Sequence, residues 1–391
     1  MEISFSSILA SVISISLLTC LLYWCIRKKD IVTHIGLGCM YVLLILILFR
    51  GFFPIDFTSG LTTSVYIRHG LPQLRDLLLT EIFSLYTFAI TPLRILLLIW
   101  FVGFILNAFT IVNEYCNIKK KLHSTPPVTD AIILATFQNA LADTFSHRKP
   151  TIQLVCHDLF PSPALFGIYR PTLILPHLNY NVEELYAIFR HELLHYKHRD
   201  VIFKLLTNIL SIIYWWNPII SMLFVSLTTQ IQELWVDFHT AKTSNKEQKI
   251  QYMETLTTNL ESTSSATSSK PISKQTLFLS NNYDQLSLKQ RFEYLRIKSL
   301  KSFSIYGIVI CIALFISTFT IILEPSYDPT KDEDGDPVFE DNEGETYFIK
   351  NGAKYDLYME NKYVGTLDKI PDIFKDYPIY DHKEEVPQNE D

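Results

Sequence analysis

Paired cysteines are missing from this chain. Its 391 residues hold six cysteines, Cys20, Cys25, Cys39, Cys116, Cys156 and Cys311, with no C-x-x-C pair and none beyond residue 311. Four of them sit in or beside apolar runs. That pattern excludes a disulfide framework and gives a cysteine-based zinc site no support. No basic residue precedes the first apolar run, and no clear small-residue cleavage site follows it. Both absences argue for a retained membrane span rather than a cleaved signal peptide. Residues 324–391 contain one serine, Ser326, followed by Tyr327-Asp328-Pro329, so an S-x-x-K nucleophile is excluded there. Charged residues are scarce at 19%, against 48% hydrophobic. The apolar content is gathered into a few long runs, which points to membrane spans.

Four runs are long enough to consider: 5–26, 31–49, 88–112 and 303–323. Arg27-Lys28-Lys29 follows the first, Lys119-Lys120-Lys121 follows the third, and Arg291, Arg296, Lys298 and Lys301 precede the last. Basic flanks mark the inner side of a bilayer. They agree on one topology with four spans, an outside N-terminus and an outside loop at 51–87. Residues 1–112 then form a three-span membrane domain, 113–302 a cytoplasmic domain, 303–323 a last span and 324–391 a short acidic tail outside. The tail holds 20 Asp and Glu against 7 Lys, a net charge of −13, whereas the rest of the chain carries +7. A basic body and an acidic tail fit opposite sides of a membrane.

The cytoplasmic segment reads as α+β. Residues 128–145 have helical spacing, and Thr151 to Cys156 and Thr172 to Leu175 read as short strands bounded by prolines. Residues 256–274 are rich in Ser and Thr and read as a flexible linker. Residues 201–226 are apolar and interrupted by Trp215-Trp216-Asn217-Pro218. Two full helical crossings need about 40 residues. A shallow membrane-associated hairpin turning at Asn217-Pro218 is therefore expected, entering and leaving by one face.

His191-Glu192-Leu193-Leu194-His195 carries the chemistry. Residues four apart share a helix face, so His191 and His195 can aim two imidazoles at one ion. Zn²⁺ accepts imidazole nitrogen, and Glu192 lies beside the first ligand as general base. Asn181 and Glu184 offer a capping box for the helix start. A third protein ligand is needed, with a fourth position open to water. Glu233 is the best candidate. Asp237, four residues on, shares its helical face and can orient a ligating imidazole through the other ring nitrogen. His198 is only three residues from His195 and reads as a surface or supporting residue.

These passages resemble the BlaR/MecR-type antirepressor membrane zinc metallopeptidases. Arg190 to Asp200 is similar to the family's zinc helix, Trp215-Trp216-Asn217-Pro218 to its W-x-N-P turn, and Glu233 to Asp237 to its E-x-x-x-D. Pro163 to Pro176 looks like the strand ahead of the zinc helix. The resemblance covers about residues 1–323. It implies an integral-membrane α-helical protein with a zincin-like metalloprotease domain, Zn²⁺ held by His191, His195 and Glu233, and a peptidase that acts in signal transduction. Its implied substrate is a cytoplasmic transcriptional repressor, with self-cleavage in or near 256–300. Members that sense β-lactams carry a penicillin-binding domain with S-x-x-K and K-T-G motifs. Acylation by a β-lactam is not expected of this tail.

The strand 164–175 has two readings. It is either a core strand or an edge strand that receives substrate through backbone hydrogen bonds, with Leu165, Phe166, Gly167 and Ile168 at the contact. Phe348 to Tyr355 signals a hairpin around Asn351-Gly352. Asp332 to Asp336 reads as solvated acidic linker, since Pro337 stands where a calcium loop needs Gly. Expected partners are a protein substrate, the lipid bilayer and, as an option, a second copy of the chain; direct nucleic-acid binding is not expected. Three other functions are weighed: a housekeeping HtpX/Ste24-type membrane protease, a receptor whose zinc domain only docks a partner, and an intramembrane protease, which Arg190, Lys197, Arg199 and Asp200 around His191 disfavour.

Overall fold

In the computed structural model the apolar runs become helices, and glycine decides where one of them breaks. The described residues are 5–55, 63–67, 69–85, 88–146, 149–158, 162–178, 180–242, 250, 252–254, 257, 285–297 and 301–325, with 330–331, 337–338, 346–351, 354–359, 362–367, 369–370 and 377–380 in the tail. The chain divides into two units, Met1–Pro325 and Ser326–Asp391.

Helix α1 spans Phe5–Arg27 and ends on its basic residue. The run expected at 31–49 is two helices, α2 (Lys29–Ile35) and α3 (Leu37–Phe52), bent by 90°. Gly36 forms the bend at φ 97°, a conformation that a residue with a Cβ rarely adopts. A Cβ there would meet the Ser302 carbonyl oxygen at 3.0 Å, so the close approach of the 301–303 backbone needs glycine as well. Within the loop expected at 51–87 lie β1 (Thr63–Ile67), α4 (Leu71–Leu79) and β2 (Phe83–Leu85). The run expected at 88–112 opens as a strand, β3 (Phe88–Ile90), paired with β2. Helix α5 (Pro92–Ser124) starts only after Thr91, whose side chain accepts from Arg94 N. Proline at the first helical position fits that start, since its missing N–H would have had no partner.

Helix α5 has 33 residues, about 50 Å at 1.5 Å per residue, more than a bilayer core requires. Its first two-thirds expose Leu96 to Val112 apolar residues. Its last turns bury Ile118 and Leu122 against Val155, Ala164, Phe166 and Ile174. One helix therefore joins the apolar region to a small α/β layer. That layer comprises α6 (Ala131–Thr144), capped by Asp130, and a three-stranded sheet of β4 (Gln153–Cys156), β5 (Ala164–Phe166) and β6 (Thr172–Leu175). Its order is β4-β6-β5, with β4 parallel and β5 antiparallel to β6. The strand expected at 164–175 is thus a hairpin. It turns at Gly167, whose φ is 92°, and a Cβ there would meet the Arg170 carbonyl oxygen at 2.9 Å.

Helix α7 (Val182–Lys197) packs on α6 and the sheet, burying Leu185, Phe189 and Leu193 with Phe137 and Leu154. Fully burying a side chain such as Phe189 contributes about 1.5–3 kcal/mol. Helix α8 (Asp200–Ile213) is followed by the turn Tyr214 to Pro218, a π-helical turn Ile219–Phe224 and α9 (Val225–Lys242). The second arm, Ile219–Lys242, runs unbroken for 24 residues and so extends well past residue 226. Helices α10 (Gln285–Leu295) and α11 (Ile305–Thr320) follow. The run expected at 303–323 gives way after Thr320 to β7 (Ile321–Pro325), which pairs in parallel with β1.

By length and composition, Ser6–Arg27, Pro92–Ser124 and Ile219–Lys242 can cross a membrane; α2 and α3 together make a fourth if the bent pair is one span, and Ile305–Thr320 is apolar but shorter. The protein is mostly helical, with three to four candidate membrane helices among the described residues.

In the second unit, β10 (Thr346–Asn351), β11 (Lys354–Met359) and β12 (Lys362–Leu367) form antiparallel pairs, and β13 (Ile379–Tyr380) pairs in parallel with β10. Short strands β8 (Thr330–Lys331) and β9 (Pro337–Val338) pair separately. Asn351 and Lys354 are partners across the first hairpin, and the residues between them lie outside the described set. So do Asp332 to Asp336 and, except for Thr257, the linker expected at 256–274. Most of the segment expected to be clipped is therefore outside the described residues.

Candidate metal centre

Local sequence starts the site. Asn181 caps α7: its Oδ1 accepts from Glu184 N at 2.8 Å, and Glu184 Oε2 accepts from Asn181 N at 2.9 Å. This reciprocal pair satisfies two end donors of the helix. Ten and fourteen residues along, His191 and His195 lie on the face turned toward α9, with Nε2 atoms 3.1 Å apart. Glu233 on α9 faces both of them. Its Oε2 is 3.3 Å from His191 Nε2 and its Oε1 is 3.4 Å from His195 Nε2. One ligand atom from each of the three residues lies within 4.8 Å of the others, and all three are buried.

The outer ring nitrogens determine what this face offers. His195 Nδ1 lies 2.6 Å from Asp200 Oδ2. A buried carboxylate accepts, so the Nδ1–H donates and the Nε2 lone pair turns inward. Asp200 also accepts from Tyr41 at 3.0 Å. The chain reaches Asp200 by reversing at Arg199, whose φ is 61°, a left-handed conformation uncommon outside glycine. His191 is held differently. Its Nδ1 is 2.7 Å from Tyr252 Oη, while Asp237 Oδ1 is 3.8 Å away, too far for a hydrogen bond. Tyr252 bridges the gap by donating to Asp237 Oδ1 at 2.6 Å. Arg291 on α10 donates to both Asp237 oxygens at 2.6 and 2.7 Å, and its Nη1 lies 3.1 Å from Glu233 Oε2.

The arrangement therefore turns two imidazole lone pairs and a carboxylate at one another. Both Glu233 oxygens are buried and, among the described residues, accept no well-formed hydrogen bond, Oε2 being ion-paired with Arg291. Arg291 Nη1 touches the carboxylate from outside, while the inward side, where the two lone pairs face it, suits a cation. Burial works against a charged His195, but the facing Glu233 charge and the bond to Asp200 outweigh it and push its pKa up to about 10. The donor set, two nitrogens and a carboxylate, fits Zn²⁺ with one position open.

Glu192 is buried next to this face, and burial raises its pKa. Together with His195 it lines a cavity of about 350 Å³. Leu165, Phe166, Gly167 and Ile168 line the same cavity. Strand β5 is the edge of its sheet, so one row of its backbone groups faces away from β6. The other walls come from α5 at Ile111, Val112 and Tyr115 and from α8 at Lys204, Leu205 and Asn208. His198 stands apart, with its ring 4.9 Å from that of His239, and burial lowers its pKa to about 4.

Sequence reasoning named His191, His195 and Glu233, which the structure brings together, and Glu192 and Asp237, which lie beside them. It assigned no role to Asp200, although that residue closes the zinc-helix passage. It missed Tyr252, and it read Arg291 only as a basic flank of the last run, whereas the structure buries it against Glu233 and Asp237. Neither Tyr252 nor Arg291 lies in a motif or shares a helical period with the histidines, so no local signal marked them.

The family described as BlaR1 peptidase M56 matches residues 85–295, which include His191, His195 and Glu233. The chain is similar to the regulatory protein BlaR1 of Bacillus licheniformis, 27% identical over 160 residues that make up 40% of this chain and 26% of that protein. It is similar to the methicillin resistance mecR1 proteins of Staphylococcus aureus and Staphylococcus epidermidis, 24% identical over 164 residues, 41% of this chain and 27% of theirs. The chain spans about a quarter of the length of the curated relatives it matches.

Proposed function

The chain belongs to the BlaR1 peptidase M56 family, and from that premise we propose that it is a membrane-bound zinc endopeptidase that works as a signal-transducing antirepressor. The observation that carries the chemistry is the face-to-face placing of Glu233 against two imidazole lone pairs, beside a cavity with an open strand edge. His191, His195 and Glu233 would hold the ion. When bound, zinc supplies a Lewis acid that polarises the scissile carbonyl and makes water nucleophilic near neutral pH.

The chain's own residues do the rest. An extended substrate adds to β5 along Leu165 to Ile168 through backbone hydrogen bonds, which align its peptide bond with α7. Glu192 takes a proton from the attacking water and delivers it to the leaving amine nitrogen. Burial raises its pKa, which makes it a better base for that transfer. The apolar walls of the cavity limit competing water.

The basic flanks of the apolar runs support a peptidase domain on the cytoplasmic side. The relatives' names, a regulatory protein and methicillin resistance proteins, support a regulatory substrate, a transcriptional repressor of the cytoplasm. The Ser/Thr-rich 256–274 segment supports the chain itself as a second substrate. The test compares cytoplasmic proteome cleavage, and the full-length band of the protein, between wild type and Glu192→Gln. Loss of the general base lowers cleavage by about 10²- to 10⁴-fold with metal content unchanged. Equal cleavage by the variant would sink the peptidase reading.

A further inference from the structure

The chemistry above leaves Tyr252 and Arg291 without a role, yet both are buried, with exposures of 5% and 1%. They reach the candidate centre from opposite sides of residues 258–284. We propose that Tyr252 is the positioning residue for His191, held in turn by Arg291 through Asp237. The ligand set is then completed by chain from both sides of that segment. This rests on reading His191, His195 and Glu233 as the metal-binding set.

Proton counting carries the argument. Asp237 receives three donors: Arg291 Nε on Oδ2 at 2.6 Å, Arg291 Nη2 on Oδ1 at 2.7 Å, and Tyr252 on Oδ1 at 2.6 Å. A carboxylate in that position accepts only. The single Tyr252 proton is therefore committed to Asp237. The Tyr252 oxygen is left to accept, from Arg291 Nη2 at 3.4 Å and, much closer, from His191 Nδ1 at 2.7 Å. His191 must carry its proton on Nδ1, and its Nε2 lone pair turns toward Glu233. The 3.8 Å between His191 Nδ1 and Asp237 rules out the direct carboxylate–imidazole contact that the i, i+4 spacing of Glu233 and Asp237 suggested. His195 has such a contact, with Asp200. The two imidazoles are thus oriented by different devices, and among the described residues that of His191 alone draws on chain beyond α9.

The test uses the full-length protein in detergent, with Zn²⁺ and Co²⁺ as probes. Affinity is measured by competition with a chelator, ligand geometry by Co²⁺ visible absorption, and folding by circular dichroism. Tyr252→Phe keeps the ring and removes the hydroxyl. It is expected to lower metal affinity by about 10- to 100-fold, as losing an outer partner of a ligating histidine does, and to shift the Co²⁺ spectrum while the helical signal stays. Asp237→Asn added to Tyr252→Phe should cost little more, because both act through one relay. Arg291→Lys keeps the charge but loses the two-pronged contact, and should fall between wild type and Tyr252→Phe. Wild-type affinity and spectrum in Tyr252→Phe, or losses that multiply in the double variant, would overturn the proposal. Failure of the wild-type protein to bind either ion would instead overturn the metal reading, and the relay with it.

Discussion

The two ends of the helical hairpin formed by α8 and the Ile219–Lys242 arm solve the same problem in opposite ways. At the tip, polar groups meet neutral partners. Tyr214 donates to the Gly51 carbonyl at 3.0 Å, Trp215 Nε1 to the Trp100 carbonyl at 3.2 Å, and Asn217 Nδ2 to Ser16 Oγ at 3.0 Å. Trp100 Nε1 returns a bond to the Ile213 carbonyl at 2.9 Å. At the base, Asp200, Glu233 and Asp237 are buried among His195, His191 and Arg291. Neutral hydrogen bonds satisfy backbone and side chain at modest cost, whereas buried charges are tolerated only where they pair or hold an ion. The tip is built to keep the hairpin in place among α1, α3 and α5. The base is built to hold charge ready for chemistry.

That contrast can be broken by substitution. The largest effect is expected at the base: Glu233→Gln should lower zinc affinity by more than about 100-fold, beyond what losing a ligand's outer partner costs, with little loss of helical signal. Metal retention by Glu233→Gln would show that the base holds charge for another reason. Next, Asn217→Ala at the tip removes the bond to Ser16 and the cap on Ile219 N. It should cost about 1–2 kcal/mol in a denaturant or thermal measurement, with zinc affinity of the folded protein unchanged. A loss of affinity there would mean that tip and base are coupled. The smallest effect is expected from Trp215→Phe, which removes one bond to Trp100 and should cost about 0.6–1 kcal/mol. Cleavage by the folded fraction should not change.

Much of the hairpin and site was legible because the signals were local. Histidines four apart must share a helix face, and Asn181 with Glu184 must cap it once that helix forms. The same periodicity put Glu233 and Asp237 on one face of α9. Legibility ended where conformation depended on distant chain. The apolar run at 31–49 gave no sign that Gly36 bends it against residues 301–303. The strand at 164–175 divides because Gly167 can take a positive φ, and it lies at an edge because β6 pairs with β4 on its other side. Asp237 was read as orienting an imidazole through its other ring nitrogen, and spacing along a helix, which says only which residues share a face, gave no sign of the tyrosine inserted between them.

The sequence by itself determined the donors and the helices that carry them, because capping, helical period and apolar runs act over a few residues. It also set the charge contrast between body and tail. Tertiary structure alone decided that Glu233 meets both imidazoles, that Asp200 orients one of them, and that Tyr252 and Arg291 come in from either side of residues 258–284 to orient the other. Buried charges take whichever partners the fold brings within a few ångströms, and that proximity leaves no periodic trace in the chain.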